Sequence, residues 1–281
     1  MHEDAMTLRG NLLEDGYCVA NEVLDAMMLE RLREAAAEAR ARHESQDGSN
    51  FGSLIKCEYE SPVFADLIAW PKSLDLLQAM GFDDVRWMSF FLINKPPGGP
   101  ALWWHQDWFL WDDPVSAAAA PTQVFLSYYL EDTSEELGCL RVIPGSHRRR
   151  HPLHDRLPDH GTVKDELPHD HWMLEDVEGS VNVPVPAGSL VIADARVLHS
   201  ARANRSERHR PLILGWYVLD YPALSSAMQQ TFSLGWGRHL FKPPHWWEGD
   251  AGDCVRPLIF DPPRDGEGIK ANRVPGKYLA R

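Results

Sequence analysis

Apolar residues recur at three- and four-residue steps between residues 23 and 43. Leu24, Met27, Met28, Leu32 and Ala35 mark one face, and Glu30, Arg31, Arg33 and Glu34 fill the other, which predicts an amphipathic helix. A shorter helix is predicted over residues 73–80, ended by Gly81. From residue 85 the period changes. Residues 85–94 are rich in aromatic and β-branched side chains and stop at Lys95-Pro96-Pro97-Gly98-Gly99, a strong turn signal. Strand-like runs follow at 102–107, 122–130, 139–143, 181–185, 189–193, 197–201 and 211–219. Together they give eight short strands with no long helix between them, the pattern of a sandwich or barrel and not of βαβ units.

The elements divide the chain without splitting it. Residues 1–84 read as a mainly helical flank, 85–220 as the β core, and 221–281 as a tail rich in Pro, Gly and Trp that packs on the barrel. With 281 residues and 44% hydrophobic content, one large core suffices, so a single domain is expected. Residues 145–180 interrupt the β core with a long polar insertion. It has little apolar content of its own, so it is expected to lie over the barrel mouth as a lid.

Charge and cysteine usage narrow the function classes. A formal net charge of -13 repels nucleic acid and anionic membrane surfaces. The His-Arg-Arg-Arg-His run at 147–151 reads as a solvated loop. Cys18, Cys57, Cys139 and Cys254 follow no paired spacing, as expected of reduced thiols in a cytoplasmic protein. Glu3 and Asp4 precede no apolar segment, so no signal peptide is expected. No apolar run approaches the roughly 20 residues that span a bilayer.

Three places carry chemistry. In His105-Gln106-Asp107, residues two apart on a strand share a face, which sets an imidazole beside a carboxylate. His199 leaves a later strand and can face the same cavity. Two histidines and one carboxylate match the facial triad of non-haem Fe(II) oxygenases, which leaves positions open on the metal. Arg210, eleven residues further on, opens the apolar run Pro211-Leu212-Ile213-Leu214. A guanidinium there could grip a dicarboxylate through two parallel hydrogen bonds. Two rivals remain at this point. One is a cupin-like metal isomerase or cleavage dioxygenase that uses the triad without 2-oxoglutarate. The other is a ligand-binding jelly roll whose His and Asp are incidental.

The chain then resembles a known family on four stretches. These are Leu92-Ile93-Asn94-Lys95-Pro96-Pro97-Gly98, Trp104-His105-Gln106-Asp107, the run from Gly138 through Pro144-Gly145-Ser146-His147, and the run from Gly188 through His199-Ser200 to Asn204-Arg205-Ser206 and Arg210. In order and spacing it is similar to the phytanoyl-CoA dioxygenase family of Fe(II)- and 2-oxoglutarate-dependent oxygenases. The resemblance implies a double-stranded β-helix, a cupin-like jelly roll flanked by helices. It implies His105, Asp107 and His199 as iron ligands, and Arg210 as the partner of the distal carboxylate of 2-oxoglutarate. Lys56 stands where some members use a lysine for the cosubstrate, and Asn94 is a further candidate for that contact. A tryptophan that assists in some members is replaced near Ser127. Related halogenases carry a small residue in place of the carboxylate. Asp107 therefore points to hydroxylation, desaturation or another oxidation by O2, with release of succinate and CO2 and a small organic molecule as substrate.

Side chains around the triad are candidates for the substrate pocket. Trp103 and Trp104 point to opposite strand faces, so one can line the cavity, and Trp104 is taken. Arg141, if inward, would anchor a substrate carboxylate. His147 reads as a turn residue, and His169 and His171 lack a third ligand at metal spacing. The substrate itself and the oligomeric state are not legible.

Overall fold

In a computed structural model, residues 4–43, 53–58, 60–158, 167–168, 170–235, 249–261, 267–275 and 278–279 are described. Local signals start the helical flank. The Asp4 carboxylate caps α1 (Ala5–Asp15) by accepting from the Met6 and Thr7 N–H groups, and Gly16 ends it at φ 85°. The predicted amphipathic segment is α2 (Ala26–His43), which buries Met28, Leu32, Ala35, Ala36 and Ala39. α3 (Pro62–Ile68) and α4 (Pro71–Ala79) both start on a proline, whose missing N–H costs nothing there.

The eight predicted strands are all present. They are β3 (Arg86–Lys95), β4 (Leu102–His105), β5 (Gln123–Tyr129), β6 (Leu140–Val142), β7 (Val181–Val183), β8 (Leu190–Asp194), β9 (His199–Ala201) and β10 (Arg210–Val218). Two more, β1 (Tyr17–Ala20) and β2 (Ser53–Lys56), lie inside the flank read as helical. Each has four residues, too few for a period-two signal, and each is held by pairing to a sheet edge. One antiparallel sheet runs β1-β8-β5-β10-β3-β2 and the other β4-β9-β6-β7. The fold is a mainly β, cupin-like jelly roll.

Alternation along the strands separates two cores. Phe90 and Leu92 of β3 and Tyr217 of β10 point out of the large sheet and pack with Leu12, Leu32 and Phe64 of the helices. Gly215 permits this packing, because a Cβ there would sit 2.1 Å from the Phe90 ring. Tyr129, Leu140, Val142, Val191 and Leu212 point inward and fill the barrel between the sheets. In the tail, α5 (Ser226–Gly235) supplies Met228 and Phe232. With Phe260 they bury Trp108, Phe109 and Trp111, which follow the His105-Gln106-Asp107 motif.

The described flanks of the insertion lie against the outer face of the four-stranded sheet. Leu153, Leu157, Trp172 and Val177 pack on Trp104, Ile143 and Leu198. Asp176 pairs with Arg141 at 2.8 Å and with Arg202 at 2.5 Å. His169 lies outside the described residues. His171 is a cap, its Nδ1 accepting from the Met173 N–H at 3.2 Å.

Candidate metal centre

Pairing of β4 with β9 sets His105 directly opposite His199. Asp107 follows beyond the end of β4, where its N–H donates to the Ala195 carbonyl at 2.9 Å. The three side chains are buried, and one ligand atom from each lies within 4.8 Å of the other two. His105 Nε2 is 3.8 Å from Asp107 Oδ1, and His199 Nε2 is 4.0 Å from Oδ2. The other ring nitrogens face carbonyls. His105 Nδ1 meets the Trp103 oxygen at 2.9 Å, and His199 Nδ1 meets that of Val197 at 3.1 Å. A carbonyl only accepts, so each Nδ1 carries the proton and each Nε2 keeps its lone pair toward Asp107. Burial lowers the His105 pKa against the opposing pull of Asp107, which favours the neutral ring. Two neutral imidazoles and one carboxylate fit Fe(II) as a donor set.

Neighbouring side chains hold these three groups in place. The Trp216 indole of β10 donates to Asp107 Oδ2 at 2.7 Å. The Phe125 ring lies 4.7 Å from that of His199. From the tail, Arg273 donates to the Asp107 carbonyl at 3.1 Å, and Gln106 donates to the Arg273 carbonyl at 3.1 Å. Sequence reasoning missed Trp216, although it lies six residues after Arg210 and so on the same strand face.

Arg210 is 2% exposed and faces into the barrel beside Tyr129 and Cys139. Its Nε and Nη1 are buried and have no hydrogen-bond partner among the described residues. An orphaned inward guanidinium suits the free carboxylate of a dicarboxylate ligand. Lys56 pairs with Glu58 at 3.2 Å and stands opposite Phe91 on the site side of β2. Phe91 in turn meets the Trp216 ring at 5.7 Å.

Three expected contacts are not brought to the site. Asn94 shares the helix-side face of β3 with Phe90 and Leu92 and bonds His209 at 3.1 Å, which leaves Lys95 on the inward face. Trp104 is fully buried on the outer face, its indole donating to the Glu175 carbonyl at 2.9 Å. Trp103, two residues before His105, shares its face, with ring centroids 5.8 Å apart. Arg141 also points outward. It donates to Asp176 and to Ser200 Oγ at 2.7 Å, and stacks over Trp104 at 4.8 Å.

Known proteins are similar to this chain in sequence and in fold. The sequence model of phytanoyl-CoA dioxygenase matches residues 12–212. A probable alpha-ketoglutarate-dependent hypophosphite dioxygenase of Stutzerimonas stutzeri is 29% identical over 161 residues, 55% of this chain and 52% of that protein. The chain thus spans about half the length of that relative. Ectoine dioxygenase of Sphingopyxis alaskensis is 23% identical over 270 residues, 85% of this chain and 80% of that one. The solved structure of the alpha-ketoglutarate-dependent carbocyclase SnoK from nogalamycin biosynthesis has the same fold, with a TM-score of 0.59 and 22% identity over 78% of this chain and 87% of that one. With that family's model covering most of its length, over a jelly roll with a buried His-Asp-His cluster, the chain belongs to the phytanoyl-CoA dioxygenase family of Fe(II)- and 2-oxoglutarate-dependent oxygenases.

Proposed function

We propose that the chain hydroxylates an unactivated C–H bond of a small organic molecule, using Fe(II), 2-oxoglutarate and O2 and releasing succinate and CO2. The observation that carries this reading is the pairing of a buried two-histidine, one-carboxylate cluster with an inward, unpaired Arg210. His105, Asp107 and His199 would hold the iron from one side and leave its other positions open. When bound, iron and 2-oxoglutarate supply the activation of O2 that oxidises the substrate. The protein's own residues bind and orient. Arg210 takes the distal carboxylate, and Lys56 lends a further cation from β2. Trp216 keeps Asp107 in place, and the aromatic lining excludes water. The insertion at 145–180 joins β6 to β7, and its described flanks brace the outer face of the four-stranded sheet, so the expected lid over bound substrate is not carried by those flanks. Free thiols at all four cysteines support a cytoplasmic setting. Among the described residues no helix is long and apolar enough to cross a membrane.

An isomerase or cleavage dioxygenase without 2-oxoglutarate would leave Arg210 buried without a partner, and a plain ligand-binding jelly roll would have no use for three converging donors. Anaerobic titration of the Fe(II) protein with 2-oxoglutarate separates the three readings. A weak visible charge-transfer band is expected. In Arg210→Ala the dissociation constant should rise roughly 30- to 1,000-fold, the worth of a charge-assisted pair of about 2–4 kcal/mol. An unchanged constant would assign the carboxylate to another residue. Substrate-stimulated succinate release across a panel of small molecules then identifies the substrate.

A further inference from the structure

We propose that Lys95 and Tyr129 join Arg210 in a three-point cradle for the distal carboxylate of the cosubstrate, with Lys95 as its second cation. This rests on the 2-oxoglutarate reading and assigns one residue from a predicted turn and one from a predicted strand.

β3 and β10 pair so that Lys95 stands directly opposite Arg210. The two residues are 5% and 2% exposed. Like charges opposite each other in a sheet destabilise it, and each buried cation without a counter-charge costs several kcal/mol more. No carboxylate among the described residues pairs with either. Lys95 Nζ donates to the Arg202 carbonyl at 2.5 Å, and the charged or titratable groups that act on it are Arg210, Arg141 and the Cys139 thiol. Those that act on Arg210 are the Tyr129 phenol and the same thiol. The fold thus sets Lys95 opposite Arg210 at the inner end of the barrel, and the described residues supply no anion to meet them. Burial and the two arginines push the Lys95 ammonium well below its ordinary range, a penalty that an incoming carboxylate would relieve.

The path of Lys95 is kept open by glycines. A Cβ at Gly99 would lie 2.9 Å from its Cγ, and one at Gly138 would lie 3.1 Å from its Cδ. Gly138 also sits at φ +75°, where other residues are strained. Tyr129 reaches the same place from the neighbouring strand. It stands opposite Leu212, two residues along from Arg210 on the inward face. Burial raises its pKa to about 12, so the phenol stays a donor, and the hydroxyl has no hydrogen bond among the described residues. A carboxylate has about four lone-pair sites, enough for a guanidinium, an ammonium and a phenol together.

The test compares 2-oxoglutarate with 2-oxopentanoate, which keeps the chelating end and the chain length but ends in a methyl group. Both are titrated anaerobically into the Fe(II) protein. Lys95→Met should weaken 2-oxoglutarate about 10- to 100-fold and Tyr129→Phe about 3- to 10-fold. Affinity for 2-oxopentanoate and for Fe(II) should stay within about twofold of the parent, which a general packing defect would not allow. An unchanged preference for 2-oxoglutarate in folded Lys95→Met, or in Tyr129→Phe if the lysine variant does not fold, overturns the cradle. Arg210→Met is the control. If it alone abolishes the preference, only the cradle fails. If it too keeps the preference, the 2-oxoglutarate site itself has been misplaced and the cradle falls with it.

Discussion

At the scale of single residues, the site combines satisfied and deliberately unsatisfied groups. His105→Ala or His199→Ala is expected to abolish turnover and Fe(II) binding while leaving the circular dichroism spectrum unchanged, because three ligands have no redundancy. Near-normal turnover in either would remove the triad. Trp216→Phe keeps the ring and loses the 2.7 Å bond to Asp107. Outer partners of this kind are worth roughly 10- to 100-fold in metal affinity, and equilibrium competition with a chelator would measure the loss. Arg210 predicts the opposite sign for stability. Removing an uncompensated buried charge relieves desolvation, so Arg210→Met should raise the stability of the ligand-free protein by about 1–3 kcal/mol while losing stabilisation by 2-oxoglutarate. A lower melting temperature without ligand would mean that Arg210 has a structural partner.

Among elements, the insertion and the ligand-bearing strands form one unit. Arg141 on β6 donates to the Leu174 carbonyl at 3.2 Å on one side and to Ser200, the neighbour of His199, on the other. The flank from 172 to 177 is therefore expected to resist hydrogen exchange with or without ligand, and to lose that protection in Arg141→Met. The other flank is pH-sensitive. His154 Nδ1 accepts from the His151 N–H at 2.9 Å, which only a neutral ring can do. Burial, then the nearby His151 and Arg150, lower its pKa to about 4. An unfolded histidine takes up its proton near pH 6.5. The contribution of neutral His154 is thus complete above about pH 6.5 and is lost as pH falls toward 4, by about 2–4 kcal/mol in all. Protection factors of residues 150–157, taken against intrinsic exchange at each pH, should fall from pH 7 to pH 5, and equal protection at both would refute the assignment.

Across the whole molecule, distant parts of the chain close around the motif. The Trp111 N–H donates to the Asn272 carbonyl at 3.2 Å, and the Asn272 N–H donates to that of Phe109 at 2.7 Å. Arg273 holds the Asp107 carbonyl beside them. Deleting residues 267–281 should weaken Fe(II) binding by tenfold or more and speed exchange over residues 105–112, since the aspartate would lose its backbone support. Unchanged iron affinity would reduce the tail to a cover.

The sequence determined the barrel and pointed to His105, Asp107, His199 and Arg210 as candidates. Strand period, turn residues and the His-x-Asp step are local, and each survives any choice of partner strand. Register and face were not legible. β3 is apolar at both parities, and only packing of Phe90 and Leu92 against the helices turns Asn94 outward and Lys95 inward. Trp104 is one residue from His105 and so lies on the opposite face, where the insertion folds onto it and onto Arg141. Trp216 and Tyr129 fall within predicted strands, and only strand pairing sets them beside Asp107 and Arg210. Which buried charge lacks a counter-charge is likewise a property of three strands meeting, so only the tertiary structure could decide it.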